Sequence, residues 1–190
     1  MRLFIAINLP PVERAAIRST TAFAREAVEG GREVSWVSEE CLHLTMRFLG
    51  EQPAQSVPRL RGALERAART SPAVRLQIGG VGAFPNFRSP RVVWMGVAHD
   101  PRLELLHHDL ETALAECGYE PSGRAFRPHI TLGRVRRELS RERANALADA
   151  ARAIDYRSTV DSRSVELMMS ELSSSGPHYT MVASAPLGVG

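Results

Sequence analysis

A pattern of four residues, histidine, apolar, threonine and apolar, occurs twice in this chain and constrains its fold more than any other feature. The copies are His43-Leu44-Thr45-Met46 and His129-Ile130-Thr131-Leu132. Because side chains alternate between faces along a strand, each copy predicts a strand with histidine and threonine on one face and two apolar residues on the other. The chain has only 6 histidines among 190 residues, so two copies indicate a paired design rather than chance.

The length and composition indicate one soluble globular unit. A chain of 190 residues is long enough to bury a substantial core as one large domain or two small lobes. Its 44% hydrophobic and 24% charged residues are ordinary, and its apolar runs are too short to span a bilayer. The apolar stretch 2–9 lacks a signal-peptide cleavage site and is interpreted as a strand. We expect one two-lobed domain over residues 1–190, monomeric and cytoplasmic, with no membrane contact.

The basic residues exclude several classes of chemistry. All 24 of them are arginines, and the chain contains no lysine. A lysine nucleophile, a Schiff base and a Walker-type phosphate loop are therefore excluded. Any bound phosphate must be contacted by guanidinium groups or by neutral donors. Cys41 and Cys117 are too few for a disulfide framework and lack metal-ligand spacing, so both are predicted to be free thiols.

Hydrophobic periodicity and turn residues predict the order of helices and strands. Helices are predicted at 12–28, 55–70, 101–117 and 140–154. Strands are predicted at 2–9, 34–37, 42–49, 74–78, 91–97, 129–136, 160–172 and 179–185. The segment 79–90 is rich in glycine, but no helix opens directly after its glycines, so we predict a loop rather than a phosphate cradle. A second loop is predicted at 173–177.

The two halves of this order are alike, since each contains a motif strand, then a helix, then two further strands. We infer an α+β fold built by internal duplication, with two lobes related by a pseudo-twofold axis. Two mostly antiparallel sheets are expected to face each other across a central groove, with the helices on the outside.

Two histidines on facing strands supply one general base and one general acid near neutral pH. The threonines add neutral donors on the same face, about 6.6 Å along each strand from their histidines. This set suits an anionic group that loses a proton on one side and gains one on the other, as a phosphodiester does. His43, Thr45, His129 and Thr131 are therefore the candidate catalytic residues.

Other kinds of site fit the residues less well. Neither motif has a carboxylate on the same strand face, so a zinc site is disfavoured and no metal or cofactor is expected. The sequence has no Gly-x-Ser-x-Gly elbow, which disfavours a serine hydrolase. A non-catalytic binding module is the alternative that stays open.

The motifs and their flanks resemble a known family. Leu42–Gly50 and Phe126–Arg134 are similar to the two signatures of the two-histidine phosphoesterases, and within them of the RNA 2′,3′-cyclic phosphodiesterases, also described as bacterial and archaeal 2′-5′ RNA ligases. Arg2–Ile7, Phe84–Trp94 and Ser170–Tyr179 also resemble segments of that family. The resemblance covers nearly the whole chain, and all four motif positions agree with it.

The resemblance implies metal-independent hydrolysis of RNA 2′,3′-cyclic phosphate ends to 2′-phosphomonoesters. His129 would act as base toward the attacking water and His43 as acid toward the departing 3′ oxygen. Thr45 and Thr131 would hold the phosphoryl oxygens. The reverse reaction would be 2′-5′ RNA ligation. RNA ends and small cyclic nucleotides are the expected substrates. The alternatives are a non-catalytic module that binds RNA or nucleotides on the same scaffold, and a phosphodiesterase for other small cyclic or 2′-5′-linked nucleotides.

Candidate substrate-binding residues surround the motifs. Arg134 matches a recurring family position, but regular strand parity points it away from His129 unless the strand twists or bulges. Arg127 has the parity to lie beside His129, as Arg47 has for the first motif. Phe84 or Phe87 could stack on a nucleobase, with core packing expected for at least one of them.

Overall fold

The computed structural model describes residues 1–28, 33–123, 125–173 and 176–188. The strands are β1 (Arg2–Asn8), β2 (Val34–Trp36), β3 (His43–Glu51), β4 (Val74–Phe84), β5 (Val92–Val97), β6 (His129–Val135), β7 (Arg157–Ser162), β8 (Ser164–Ser173) and β9 (Gly176–Pro186). The helices are α1 (Pro11–Thr20), α2 (Ala22–Glu26), α3 (Val57–Thr70), α4 (Pro101–Ala115) and α5 (Arg141–Ala153). No helix within these ranges is both long and apolar enough to cross a membrane.

The strands form an antiparallel sheet in which the two motif strands are adjacent. The order is β7-β4-β5-β6-β3-β1-β8-β9, and β2 pairs with β6 beyond the first residue of β3. The two predicted sheets are thus the two halves of one sheet, which join at the single pair Leu44 and Ile130. This seam brings the two motifs together. The α+β class is confirmed, while the pseudo-twofold duplication remains a prediction.

One face of the sheet is buried under the helices. The apolar residues of both motifs lie on that face, and each is at most 3% exposed: Leu44, Met46, Ile130 and Leu132. Helix α3 packs on β8 and β9, and helix α5 packs on β4. Full burial of one such side chain contributes about 1.5–3 kcal/mol to the stability of the fold, so the motif strands are a strong part of the core. Their opposite face carries the histidines. The predicted alternation of the motif strands is confirmed.

The first predicted helix is interrupted at Thr21. Its backbone (φ −91°, ψ 2°) leaves the helical region, and its hydroxyl donates a hydrogen bond of 2.8 Å to Ile17 O. A threonine side chain that bonds to the preceding turn competes with the regular backbone ladder. The predicted helix 12–28 is therefore two helices, α1 and α2, and its predicted end at residues 30 and 31 lies outside the described residues.

Half of the glycine-rich segment predicted as a loop is strand, because β4 continues to Phe84. Its pairing with β5 shifts between Ile78 and Val81, where Gly80 has φ +71°. At Gly82 the Trp94 ring lies where a Cβ would stand, at a distance of only 2.2 Å. Gly80 therefore permits the bulge, and Gly82 permits the Trp94 ring to pack against the backbone of β4. The loop that remains covers residues 85–91.

The predicted strand 160–172 is two strands that belong to opposite sides of the sheet. β7 pairs with β4, whereas β8 pairs with β1. The apolar pattern runs through both strands and does not reveal that the chain crosses between the two halves near Arg163. The predicted loop 173–177 is shorter in the structure, because Ser173 pairs with Gly176 and Leu172 pairs with Pro177 across β8 and β9. Residues 174 and 175, between these strands, lie outside the described residues.

Candidate active site

The four motif side chains lie at the seam, on the face away from the helices. Continuing the antiparallel register from Leu44 and Ile130 places His43 across from Thr131, and Thr45 across from His129. All four polar side chains are partly buried. The structure thus brings the predicted acid, base and hydroxyl groups into one cluster.

Each imidazole is held by the backbone carbonyl two residues before it. Nδ1 of His43 is 2.8 Å from Cys41 O, and Nδ1 of His129 is 2.6 Å from Arg127 O. Because a carbonyl oxygen only accepts, Nδ1 must carry a proton in both rings. The Nε2 atom of each neutral ring then has the lone pair that a general base needs. The sequence analysis did not predict this support, although both carbonyls stand at the same offset from their histidines.

The two Nε2 atoms differ in their partners. His43 Nε2 accepts a hydrogen bond of 2.9 Å from the Thr45 hydroxyl. In the part of the chain that the structure describes, no hydrogen bond joins Thr131 to His129. His129 therefore presents the more accessible base.

Burial shifts the pKa of both histidines downward. It lowers the pKa of His43 to about 4; the hydrogen bond to Cys41 O opposes this shift, and the positive charges of Arg134 and His129 add to it. Burial also lowers the pKa of His129, against the effect of the Arg127 carbonyl, and Arg134 lowers it further. Both rings are therefore neutral at pH 7 in the free protein, and an anion bound between them would favour protonation.

A β-bulge returns Arg134 to the histidine face. The pairing of β6 with β5 shifts between Thr131 and Gly133, so that Leu132 is an extra residue in the strand. Leu132 and Gly133 are consecutive buried residues, and Arg134 is exposed. Its charge lowers the pKa of both His43 and His129. The strand distortion that the predicted role of Arg134 requires is present.

An equivalent bulge in β3 has a different outcome. The pairing of β1 with β3 shifts from Ala6–Thr45 to Ile5–Arg47, so the extra residue is Met46. Arg47 consequently points to the helices, where it forms an ion pair of 3.0 Å with Glu111 of α4. The predicted parity of Arg47 was wrong, because that prediction assumed a regular strand.

Past this bulge, Phe48 takes the position that corresponds to Arg134. It stands five residues after its motif histidine, as Arg134 does, and its side chain is 61% exposed. Its ring centroid lies 6.2 Å from that of Phe4. One half of the site therefore presents an arginine where the other half presents an aromatic ring.

Aromatic rings flank both histidines. His129 lies edge-on to Phe84 with ring centroids 5.1 Å apart, and its centroid is 6.4 Å from that of Trp94. His43 has Phe4 at 4.9 Å and Tyr179, edge-on, at 5.4 Å. The sequence analysis named only Phe84, but the other three rings occur in the segments that resemble the family.

The remaining predicted residues are placed as follows. Phe87 packs against the hydrophobic core, which leaves Phe84 as the candidate for nucleobase contact. The Arg127 side chain is exposed beside the site, while its carbonyl supports His129. Among the described residues, no cluster of three or more histidine, cysteine or acidic side chains could hold a metal ion.

The sheet with two histidine–threonine pairs at its seam defines a two-histidine phosphoesterase. The chain belongs to the 2′-5′ RNA ligase superfamily, whose family model matches residues 15–170. An RNA 2′,3′-cyclic phosphodiesterase of Thermotoga maritima is 36% identical over 136 residues, 72% of this chain and 71% of that relative. Another, from Archaeoglobus fulgidus, is 32% identical over 94% of this chain and 96% of its own length.

Solved structures agree with this assignment. A crystal structure of a Thermus thermophilus protein superimposes with a TM-score of 0.80 and 30% identity, covering 100% of this chain and 99% of that one. The E. coli LigT structure complexed with 3′-AMP superimposes with a TM-score of 0.72 and 30% identity, covering 98% of this chain and 97% of LigT. The similarity therefore extends over the whole fold.

Proposed function

We propose that the protein hydrolyses RNA 2′,3′-cyclic phosphate ends to 2′-phosphomonoesters, with no metal or cofactor. The observation that carries this proposal is the pair of imidazoles on one face of the seam, each fixed through Nδ1 by a backbone carbonyl. Relatives that align over most of the chain are RNA 2′,3′-cyclic phosphodiesterases, which supports the same activity here.

His129 acts as the general base in this mechanism. Its Nε2 removes a proton from water as the water oxygen attacks phosphorus. The bond between phosphorus and the 3′ oxygen breaks, and His43 donates the Nε2 proton that this oxygen receives. The accessible Nε2 of His129 supports its role as base, and the direction otherwise follows the family resemblance. Solvent restores both protonation states after the 2′-phosphate leaves.

The threonines and Arg134 stabilise the charge that develops on the phosphoryl oxygens. In the free protein, the Thr45 hydroxyl donates to His43 Nε2. Protonation of His43 converts Nε2 into a donor, which releases the Thr45 hydrogen for a phosphoryl oxygen. Thr131 serves the other oxygen, and the guanidinium of Arg134 supplies positive charge on the same face. Protonation of His43 and binding of the phosphate are thereby coupled through Thr45.

The nucleoside contacts are assigned to Phe84 and Arg127. Phe84 forms one wall beside His129, where a nucleobase can stack on an aromatic face. Arg127 is exposed next to His129, which supports a contact with a phosphate or ribose of the bound end. We also propose that the protein acts as a monomer. The cytoplasmic location remains a prediction from the sequence.

A second activity is favoured by the matched aromatic walls. A cyclic phosphate has a nucleoside on one side of phosphorus only, whereas a 2′-5′ phosphodiester has one on each side. Phe84 and Trp94 flank His129, and Phe4 and Tyr179 flank His43. Phe4 is only 3% exposed and supports the Tyr179 ring, so the partly exposed rings of Phe84 and Tyr179 are the aromatic surfaces for a nucleoside on the two sides. This arrangement suits cleavage or formation of a 2′-5′ linkage.

Product identification tests the proposal. An RNA oligonucleotide with a 2′,3′-cyclic end is incubated with the protein in excess EDTA, and the product is analysed for the position of the phosphate. We expect turnover to a 2′-phosphate. A 3′-phosphate would show that the acid and base act on the other ester bond. Absence of turnover on cyclic and 2′-5′ substrates, with RNA binding retained, would favour the non-catalytic module.

A further inference from the structure

An arginine-lined cleft opens where β6 ends, beyond the proposed active site. Residues 88–91 form one wall and residues 135–139 form the other, and the cleft has a volume of about 320 Å³. We call it the arginine cleft. No role in the proposed reaction uses these residues.

The arginine cleft carries positive charge without matching carboxylates. Glu138 is the one acidic residue among the described residues that line it. Four of the lining residues are arginines: Arg88, Arg91, Arg136 and Arg137. Within the described ranges, none of the four arginine side chains forms an ion pair. Arginines on other surfaces do, as in the pair Arg75–Asp161 at 2.8 Å. The cleft therefore retains charge for an anionic partner.

The backbone of the first wall is held in place. Asn86 Oδ1 accepts hydrogen bonds from the N–H groups of Arg88 (2.9 Å) and Ser89 (3.3 Å). Phe87 packs against the core, and Pro90 is buried. The cleft is consequently a preformed feature, in which only the arginine side chains must adjust to a ligand.

The second wall is fixed as well. The carbonyl of Glu33 accepts hydrogen bonds from the N–H groups of Arg136 and Arg137. The Glu33 carboxylate is engaged elsewhere, in an ion pair of 3.3 Å with Arg143. Glu33 therefore holds this wall through its backbone carbonyl, while its carboxylate pairs with helix α5 and does not neutralise the cleft.

The arginine cleft continues directly from the active site. Arg136 follows Arg134 by two residues and stands directly after the end of β6. On the other wall, the Arg91 N–H donates a hydrogen bond of 2.7 Å to Phe84 O. Both walls thus begin at residues assigned to phosphate or nucleobase contact. A polymer whose end is held at His129 has a charged path leading away from it.

We propose that the arginine cleft binds the phosphodiester backbone of the RNA on the 5′ side of the reacting phosphate, so that polynucleotide ends are preferred over mononucleotides. The proposal rests on the proposed function. Single-stranded nucleic acids bind grooves that combine positive charge along the backbone with aromatic platforms for the bases. Guanidinium groups match phosphate geometry through paired hydrogen bonds. Phe84 and the arginine cleft supply these two elements side by side.

The double variant Arg136→Ala/Arg137→Ala tests this proposal through binding. The probe is a single-stranded RNA of about twelve nucleotides with a 3′-terminal 2′-phosphate and a 5′ fluorophore, followed by anisotropy at several salt concentrations. We expect affinity to fall on the order of tenfold. Removing two phosphate contacts should also reduce the slope of log affinity against log salt by about 1.4. Unchanged affinity and slope would overturn the proposal.

Kinetics provide the second readout. For the same variant, kcat/KM on a cyclic-phosphate oligonucleotide should fall about tenfold, while kcat/KM on 2′,3′-cyclic CMP stays within about twofold of wild type. An equal loss on both substrates would indicate damage to the active site and overturn the proposal. Arg88→Glu, on the other wall, should weaken oligonucleotide binding independently, which keeps the test decisive if the double variant fails to fold.

Arg69→Ala/Arg102→Ala is the matched control. It removes the same charge from exposed positions on α3 and α4, on the helical side of the sheet. RNA affinity should stay within about twofold of wild type at physiological salt, where exposed charges are screened beyond about 8 Å. An equal effect of the control would show that net charge alone matters and would overturn the proposal. If wild type binds RNA through the cleft but hydrolyses neither substrate, the proposed function fails separately.

Discussion

The His43 half and the His129 half of the site share one framework and differ in what it presents. In each, the carbonyl two residues before the histidine accepts from Nδ1, and a bulge follows the threonine. His43 is also bonded to Thr45 and has its pKa lowered to about 4, whereas His129 has no such bond among the described residues. The same four-residue motif therefore produces two different imidazole environments.

The residue two positions after each bulge is a second difference between the halves. Five residues beyond the histidine, one half has Phe48 and the other has Arg134. The histidine face thus receives a positive charge at one end and an aromatic surface at the other. Pairs of titratable groups in unlike environments are how enzymes separate acid and base roles. The comparison shows that the motifs position the imidazoles, while the flanking residues make their environments differ.

Replacement of either histidine should have the largest effect. We expect His43→Ala and His129→Ala each to lower kcat for RNA cyclic-phosphate hydrolysis by about 10³- to 10⁴-fold, because each removes one proton transfer. Circular dichroism and RNA binding should be near those of wild type, since both side chains lie on the face of the seam away from the helices. Turnover that survives in the double alanine variant would contradict the shared role of the two halves.

Removal of Arg134 should have the next largest effect. Arg134→Ala is expected to lower kcat/KM by about 10²-fold, since one donor to the developing charge is lost. It should also raise the pKa of both histidines, because the Arg134 charge lowers them. The pH–rate profile should therefore move to higher pH. Arg127→Ala serves as the control, with a smaller loss and no shift of the profile.

Protonation of His43 should make stability depend on pH. Its folded pKa of about 4 lies below the unfolded value, so the unfolded state binds more protons between about pH 6.5 and pH 4. The contribution to stability is complete above pH 6.5 and decreases as pH falls. Between pH 7 and pH 4.5 we expect a loss on the order of 2 to 3 kcal/mol.

Urea unfolding at several pH values measures this effect, with His43→Gln as the comparison. The glutamine cannot titrate, so the difference between wild type and variant isolates the His43 contribution from those of other groups. A wild-type curve parallel to that of His43→Gln across this pH range would show that the pKa of His43 is not depressed in the folded state.

Replacement of the aromatic residues beside the histidines should have the smallest effect, and the effect should differ between cyclic and 2′-5′-linked substrates. Phe84→Ala should raise KM for 2′,3′-cyclic substrates about tenfold with little change in kcat, as expected for loss of one stacking contact. Tyr179→Ala should leave those substrates nearly unchanged but raise KM for a 2′-5′ dinucleotide by a similar factor. Equal effects of Tyr179→Ala on both substrates would remove the argument for a nucleoside on the His43 side.

Local alternation was sufficient to predict the motif strands and the four motif side chains. It could not predict the bulges at Met46 and Leu132, because an extra residue is defined by pairing with another strand. The parity of Arg47 failed for this reason, and the position of Arg134 could only be stated conditionally. The bulges are therefore visible only once the partner strands are known.

Other differences between prediction and structure have the same cause. Gly82 is required by the ring of Trp94, which lies on the neighbouring strand. The separation of β7 from β8 reflects pairing with β4 and β1 at opposite sides of the sheet. Each of these features depends on residues distant in sequence, and periodicity within one segment carries no information about them.

Leaving-group rescue tests the central claim, that His43 is the acid and His129 the base, most directly. The substrate is a 3′-deoxynucleoside 2′-(4-nitrophenyl phosphate), whose nitrophenolate departs without needing a proton. We predict that His43→Ala hydrolyses it at a rate near that of wild type, while His129→Ala remains impaired by about 10³-fold. Rescue of His129→Ala instead of His43→Ala would contradict the assignment.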